Sequence, residues 1–168
     1  MGITRGVLSI ALGAIASDGG PGTALTPFGK TDASATNSFT QDDPTETNYE
    51  SLEDDDPIDV EVTPGAKNLN FTVLDITPAN MVRALGGTLT GSAPNQTWNA
   101  PANMPSIELT VVVTTRQGMS LTIPRGKVTA KINHDLSKNG GKLAVDVSVR
   151  VLVPTKTGVA PAMYGPAA

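Results

Sequence analysis

Leu143, Val145, Val147, Val149, Val151 and Val153 alternate with Lys142, Ala144, Asp146, Ser148 and Arg150. Successive side chains of a strand point to opposite faces, so this run has one dry face and one wet face. A helix would scatter the same valines around its circumference. The run predicts a strand of about eleven residues, twice the usual length. A long strand with one strictly polar face suits a barrel wall with water on one side. Any fold for this chain must give that strand partners.

The partners are legible upstream. Ile107, Leu109, Val111 and Val113 alternate with Glu108, Thr110, Val112 and Thr114. Leu121, Ile123, Val128, Ala130 and Ile132 continue the pattern, interrupted at Pro124-Arg125-Gly126. Pro and Gly inside a strand indicate a bulge or an edge. Ser137-Lys138-Asn139-Gly140-Gly141 predicts a hairpin turn. Further back, Ile58, Val60 and Val62 predict a half-buried strand, and Leu69, Phe71 and Val73 a second. Thr88-Leu89-Thr90 begins another short strand. Residues 91–105, which include Trp98, predict a loop, and residues 154–168 an extended Pro- and Ala-rich tail. Trp98 is an interface anchor or a cover for the core edge.

One segment writes a helix. Thr77 can cap it, Pro78 suits the first turn, and Asp75 places negative charge at the positive end of the dipole. Met81, Val82 and Leu85 fall on one face, with Asn80 and Arg83 turned away. Gly86-Gly87 ends it. So short a helix is marginal alone, and these three apolar residues make it a buttress against a sheet.

Residues 3–16 predict a first strand, with Leu8, Ile10, Leu12 and Ala14 on one face. The same stretch also has the outline of a signal peptide, Arg5 before a run ending in Ala14-Ile15-Ala16. The segment 23–57 has no sustained period. Between Asp42 and Glu61 lie ten acids and no base. The acids include Asp42, Asp43, Glu46, Glu50, Glu53, Asp54, Asp55 and Asp56. Such a segment is a solvated loop, or an arm or long hairpin that orders on a neighbouring subunit.

The length of 168 residues predicts one domain, 1–168. Six aromatic residues leave an aliphatic core. The net charge of -4 hides an asymmetry: residues 1–84 hold thirteen acids and four bases, and residues 85–168 three acids and eight bases. That suits a molecule docking on copies of itself and argues against a generic nucleic-acid binder. Without cysteine there are no disulfides and no thiolate chemistry. Gly29-Lys30-Thr31 lacks the earlier glycine of a phosphate loop, since Ala24 stands there. Asp54-Asp55-Asp56 fails as a calcium loop at Ile58 and Asp59. His134 is the sole histidine and predicts a surface residue. No catalytic set, metal site or cofactor site is expected, and no run is long and apolar enough to span a membrane. The expected fold is mainly β, an antiparallel sandwich or barrel with one short helix and a long acidic loop or arm at 30–57.

The order of elements resembles a family. A strand pair, the helix Thr77-Pro-Ala-Asn-Met-Val-Arg-Ala-Leu-Gly-Gly87, and long strands through Leu121-Thr-Ile-Pro-Arg-Gly-Lys-Val-Thr129 and Leu143-Ala-Val-Asp-Val-Ser-Val-Arg-Val-Leu-Val153 resemble the tail tube proteins (major tail proteins) of tailed bacteriophages. The resemblance covers roughly residues 58–153. It implies a ring-shaped hexameric β-barrel, with rings stacked into a conduit for DNA in the virion tail, assembled in the host cytoplasm. It implies no enzyme activity. Its partners would be further copies, other tail proteins (terminator, tape measure, baseplate or sheath) and DNA in transit. It places Glu108, Thr110, Thr114, Asp146 and Ser148 on the lumen, the helix on the outside of the sheet, and the acidic arm against Arg125, Lys127 and Lys131 of a neighbour. A head decoration protein, a tail terminator and a secreted adhesin or pilus-like subunit are the alternatives.

Overall fold

A computed structural model describes residues 5–74 and 76–167. In chain order the strands are β1 (Val7–Gly13), β2 (Leu25–Pro27), β3 (Ser38–Gln41), β4 (Thr45–Tyr49), β5 (Asp59–Thr63) and β6 (Lys67–Val73). The helix α1 (Pro78–Leu85) follows, then β7 (Thr88–Thr90), β8 (Thr97–Asn99), β9 (Ile107–Thr115), β10 (Met119–His134), β11 (Leu143–Val151) and β12 (Met163–Pro166). All described pairings are antiparallel. The main sheet runs β2-β1-β9-β10-β11-β6-β3, with β12 beside β10. Two two-stranded ribbons, β4-β5 and β7-β8, complete the architecture.

The alternation on β9, β10 and β11 works as the sequence predicts. Val111, Ile123, Val145 and Val149 are fully buried, and Val128 and Val147 nearly so. β11 is nine residues long, shorter than the eleven expected, and Val153 lies beyond it in solvent. β10 is one strand of 16 residues, bulged between Ile123 and Gly126 as Pro124 and Gly126 suggest. At its N-terminal half β10 lies between β9 and β12, and beyond the bulge it pairs with β11. One strand thus serves two sets of neighbours. A bulge strengthens the local twist and bends the strand. A Cβ on Gly126 would collide with the Val149 side chain, so the two strands approach too closely there for any other residue.

One apolar cluster joins inward residues of β1, β6, β9, β10, β11 and α1. An eight-residue helix cannot cover five strands, so the sheet must curl over its own apolar face. Phe28 caps part of the cluster, edge-on to Phe71 at 6.2 Å. Its N–H donates to Ile10 O at 2.9 Å, while Asp32 N–H and Leu74 N–H bond Thr72 O and Lys30 O. The segment 28–32 therefore touches β1 on one side and β6 on the other. The strand path still begins at β2 and ends at β3 without their pairing, so the sheet is open, and of the sandwich or barrel expected no closed barrel is found.

The helix begins at the predicted cap: Thr77 Oγ1 accepts from Asn80 N–H at 3.3 Å. Gly86 and Gly87 follow it at φ 76° and 92°, a region other residues enter at a cost. Asp75 lies outside the described residues. Two expectations are corrected. The buried pair is Met81 and Ala84, with Leu85 half-buried against the core, while Val82 is only half-buried and outside the cluster. The helix joins the apolar cluster itself and so packs on the dry face of the sheet, away from its polar face. Asn80 and Arg83 do not turn away. Asn80 Nδ2 donates to Phe28 O at 2.9 Å, and Arg83 donates to the carbonyls of Leu12 and Thr26. These two side chains fasten the helix to β1 and β2.

β1 also departs from its reading. Of the predicted strand, residues 3 and 4 lie outside the described residues, and the strand ends at Gly13. A register shift between Val7 and Ser9 turns Val7 to the core and Leu8 out to solvent, while Ile10 and Leu12 stay buried. Trp98, expected in a loop, belongs to β8. Its Nε1–H donates to Gly86 O at 2.8 Å, and its ring packs on the core edge, so it covers the core. The tail is not merely extended, since β12 pairs with β10.

Arg83→Met should lower unfolding free energy by about 1–3 kcal/mol, the cost of leaving the part-buried Leu12 carbonyl without this donor. Urea denaturation followed by tryptophan fluorescence reads this. An unchanged midpoint would show that the contacts to Leu12 and Thr26 contribute nothing.

Candidate assembly surfaces

The acidic segment is a projecting β-ribbon. β3 and β6 pair within the main sheet, and the two strands leave it together: Asp42 N–H donates to Ala66 O at 2.8 Å, then β4 and β5 pair from Thr45↔Thr63 to Tyr49↔Asp59. Ile58 N–H closes the ladder on Tyr49 O. The tip is tied by Ser51, whose hydroxyl accepts from Asp54 N–H and donates to Asp54 Oδ2. Opposed residues share a face. Glu46, Asn48, Val60 and Val62 therefore line one side, and Thr47, Tyr49, Asp59 and Glu61 the other. Tyr49 Oη–H donates to Glu61 Oε2 at 2.9 Å on that second side.

Every residue of β4 and β5 is exposed. The expectation of a half-buried strand at Ile58, Val60 and Val62 is thus wrong for this chain alone: Ile58 is 65% and Val62 54% exposed, and Leu52 stands fully in solvent at the tip. An isolated two-stranded ribbon is marginal in water. This one continues the β3-β6 ladder and has no core beneath it. The acids Asp42, Asp43, Glu46, Glu50, Glu53, Asp54, Asp55 and Asp56 all lie in or beside the ribbon and are exposed. With Asp59 and Glu61 they give ten acids and no base, which leaves six acids and twelve bases for the rest of the chain. A strongly negative arm is attached to a positive body.

The polar face of the main sheet is the second surface. Glu108, Thr110 and Thr114 fall on it from β9, and Asp146 and Ser148 from β11. Four of these five retain some exposure, whereas Thr110 is fully buried and cannot line a channel. The loop after β1 lies over it: Gly22 N–H donates to Thr110 Oγ1 at 2.9 Å, and the hydroxyl donates to Pro124 O at 2.8 Å. Asp146 accepts from Thr72 Oγ1 at 2.7 Å and Asn133 Nδ2 at 3.0 Å, with Lys131 Nζ at 3.6 Å. A trough of about 590 Å³ lies here, floored by Asn70, Thr72, Thr129, Asp146 and Ser148.

Of the three bases expected to meet the arm, Arg125 is already engaged. Its guanidinium holds Glu108 through two bonds, 2.7 and 3.2 Å, and also donates to Val153 O. The hydrogen bonds from Arg125 are the main reason that the Glu108 carboxyl is held below the usual glutamate range. Lys131 pairs loosely with Asp146. Lys127 is exposed, directly between Glu108 and Arg150 on the neighbouring strands.

A third surface went unrecognised in the sequence. At the far end of β6, Leu74, Ile76, Pro78, Met81, Trp98 and Leu143 enclose an apolar groove of about 340 Å³, with His134 at its rim. Beside it Ile132 and Leu136 are exposed. The alternation that marks Ile132 and Leu143 as inward is correct, but the β10-β11 hairpin runs past the core, so these residues are dry-face positions without a cover.

Among the described residues no cluster of three or more His, Cys, Asp or Glu side chains is placed to hold a metal ion. His134 is exposed, paired across the ladder with Leu143. No described helix is long and apolar enough to cross a membrane. Comparison with known proteins finds no family model that matches the chain and no curated sequence that matches it.

Because the folded Glu108 carboxyl titrates below its unfolded counterpart, the unfolded chain binds more protons between the two values. Its contribution to stability is complete above the ordinary glutamate range and is lost as pH falls through the depressed value. Glu108→Gln should therefore flatten the acid side of the stability–pH curve while leaving its neutral-side shape unchanged. Urea midpoints from pH 3 to 7 test this, and a parallel downward shift at all pH values would contradict it.

Proposed function

We propose that this chain is a structural subunit of a bacteriophage tail tube, forming hexameric rings that stack head to tail into a conduit for DNA. The observation that carries the proposal is the exposed acidic ribbon with an apolar stripe. In a lone chain that ribbon has no stabilising partner, and an exposed apolar strand pair with two free edges invites aggregation. A defined neighbour removes the hazard. The charge division between arm and body favours a contact between unlike surfaces of two copies, since arm against arm would set like charges together. Unlike contacts close into rings by rotation and extend into filaments by translation.

Other features support the same reading. The outer edge of β1 is paired by β2 only from Ala11 to Gly13, so its N-terminal part is open to a strand of a ring neighbour. Thr114, Asp146 and Ser148 present hydrogen-bonding groups on the polar face, where Lys127, Lys131 and Arg150 stand beside Glu108 and Asp146, so the proposed lining is polar without being uniformly negative. Contacts to the terminator, tape measure and baseplate or sheath proteins would fall at the ends of the tube. The chain acts by assembly and not by chemistry.

Negative-stain electron microscopy of the purified protein tests the proposal. Rings or tubes of uniform width are expected, and a monomer at all concentrations would overturn it. Replacing residues 45–63 by a two-residue turn should leave rings and abolish tubes. Tubes of unchanged length in that variant would remove the arm from stacking, and trimers that never form rings would indicate a decoration protein instead.

A further inference from the structure

Asn139 is followed by Gly140, whereas every other asparagine of the chain is followed by a residue with a side chain. The pair sits at the tip of the β10-β11 hairpin, beyond the end of the ladder at His134↔Leu143. Asp135 N–H donates to Lys142 O at 2.9 Å, and Asp135 Oδ1 accepts from Ser137 N–H at 2.9 Å. Past these bonds, no hydrogen bond among the described residues fixes the Asn139 side chain or the Gly140 N–H. Residues 135–143 are all exposed. A Cβ at Gly140 would meet nothing, so both sides of its nitrogen are open to solvent. Other asparagine amides are engaged: Asn37 donates to Asp32 O, Asn80 to Phe28 O, Asn99 to Thr90 Oγ1 and Asn133 to Asp146 Oδ2.

We infer that Asn139 is a site of self-modification, converting to aspartate and isoaspartate in the folded chain. The reaction is intramolecular, which removes the cost of bringing two reactants together. A side chain after the asparagine would crowd the attack, and glycine has no Cβ. The Gly140 nitrogen loses its proton to solvent base and attacks Asn139 Cγ. The new N–Cγ bond closes a five-membered succinimide, and the side-chain nitrogen takes up a proton and leaves as ammonia. Water then adds to one of the two ring carbonyls. Breaking the bond to Cγ gives aspartate, and breaking the bond to the main-chain carbonyl carbon gives isoaspartate. Only water enters and only ammonia leaves. Both products set a new carboxylate beside Lys138. Isoaspartate also lengthens the turn by one carbon. The turn has no slack for it at Gly141, where a Cβ would already stand 2.5 Å from Asp135 O and 2.7 Å from Ser137 O. Asp18-Gly19 is the internal contrast. Gly19 N–H donates to Ala16 O at 2.8 Å, and the Asp18 carboxylate accepts from Gly20 N–H and Lys156 Nζ. Both reactants are tied there, so that pair stays unchanged. The inference does not depend on assembly.

The test incubates the purified folded protein at neutral and at mildly alkaline pH, with isoelectric focusing and peptide mapping as readouts. An acidic satellite shifted by one charge should appear, sooner at the higher pH, and map to Asn139. Isoaspartyl methyltransferase should label the same peptide. Asn139→Gln, whose longer side chain must close a larger and slower ring, should lose both signals. A parallel incubation in urea gives the rate of the unrestrained chain, and the folded rate should lie within a few-fold of it. A folded rate lower by an order of magnitude or more would show that the turn shields Asn139 and would overturn the inference. Equal conversion at other asparagines of the folded chain would overturn it too.

Discussion

One face of a seven-strand path must be kept dry, and among the described residues one eight-residue helix is there to cover it. Most other features follow from that constraint. The sheet has to curl, so the bulge at Ile123–Gly126 bends β10 and lets one strand serve β12 in its first half and β11 in its second. Gly126 is needed where the bend brings β10 against Val149. Phe28 fills from the open side, and the helix plugs what remains with Met81 and Ala84. Burial of a side chain such as Met81 is worth about 1.5–3 kcal/mol, and for so short a helix this exceeds any intrinsic tendency to form. The plug is held by polar bonds at its rim, from Asn80 and Arg83 to the carbonyls of Phe28, Leu12 and Thr26. Burial lowers the Arg83 pKa from the usual arginine value, yet three carbonyl and amide oxygens face the guanidinium and compensate part of its desolvation.

The same constraint leaves a remainder. A sheet that covers itself cannot also cover strands that run beyond the curl. β4 and β5 leave it at one end of β6, and the β10-β11 hairpin overshoots it at the other. Both extensions keep the alternation of core strands and so expose aliphatic side chains in solvent. The surface that a single chain fails to bury is therefore organised, one exposed strip on the ribbon and one apolar groove. This pattern is what one expects of a subunit that completes its core by association, and it gives the tube proposal its physical content independently of any resemblance.

What the sequence made legible was local. Alternation located β9, β10 and β11, and the Thr77-Pro78 start and Gly86-Gly87 stop located the helix within a residue. Period also identified inward faces correctly, down to Val145, Val147 and Val149. What it could not show depended on distant chain. Asn80 and Arg83 look like the solvent side of a helix until Leu12 and Thr26 present carbonyls to them. Thr110 reads as a polar-face residue until the loop at Gly22 closes over it. Leu8 shares a period with Ile10 until a register shift breaks it. β4, Thr45-Glu-Thr-Asn-Tyr49, has no apolar period at all and is a strand because β5 offers a ladder. Burial was the least legible property. Ile58, Val60 and Val62 have a half-buried pattern in a chain that does not bury them.

Amide hydrogen exchange at two protein concentrations bears on this most directly. In dilute solution the amides of Thr45–Tyr49 and Asp59–Thr63 should exchange fast, as a ribbon without a core must. At assembling concentration they should become protected, while Val111, Val145 and Val149 are protected throughout. Arm protection that stays the same at both concentrations would contradict the claim that a second copy completes this fold.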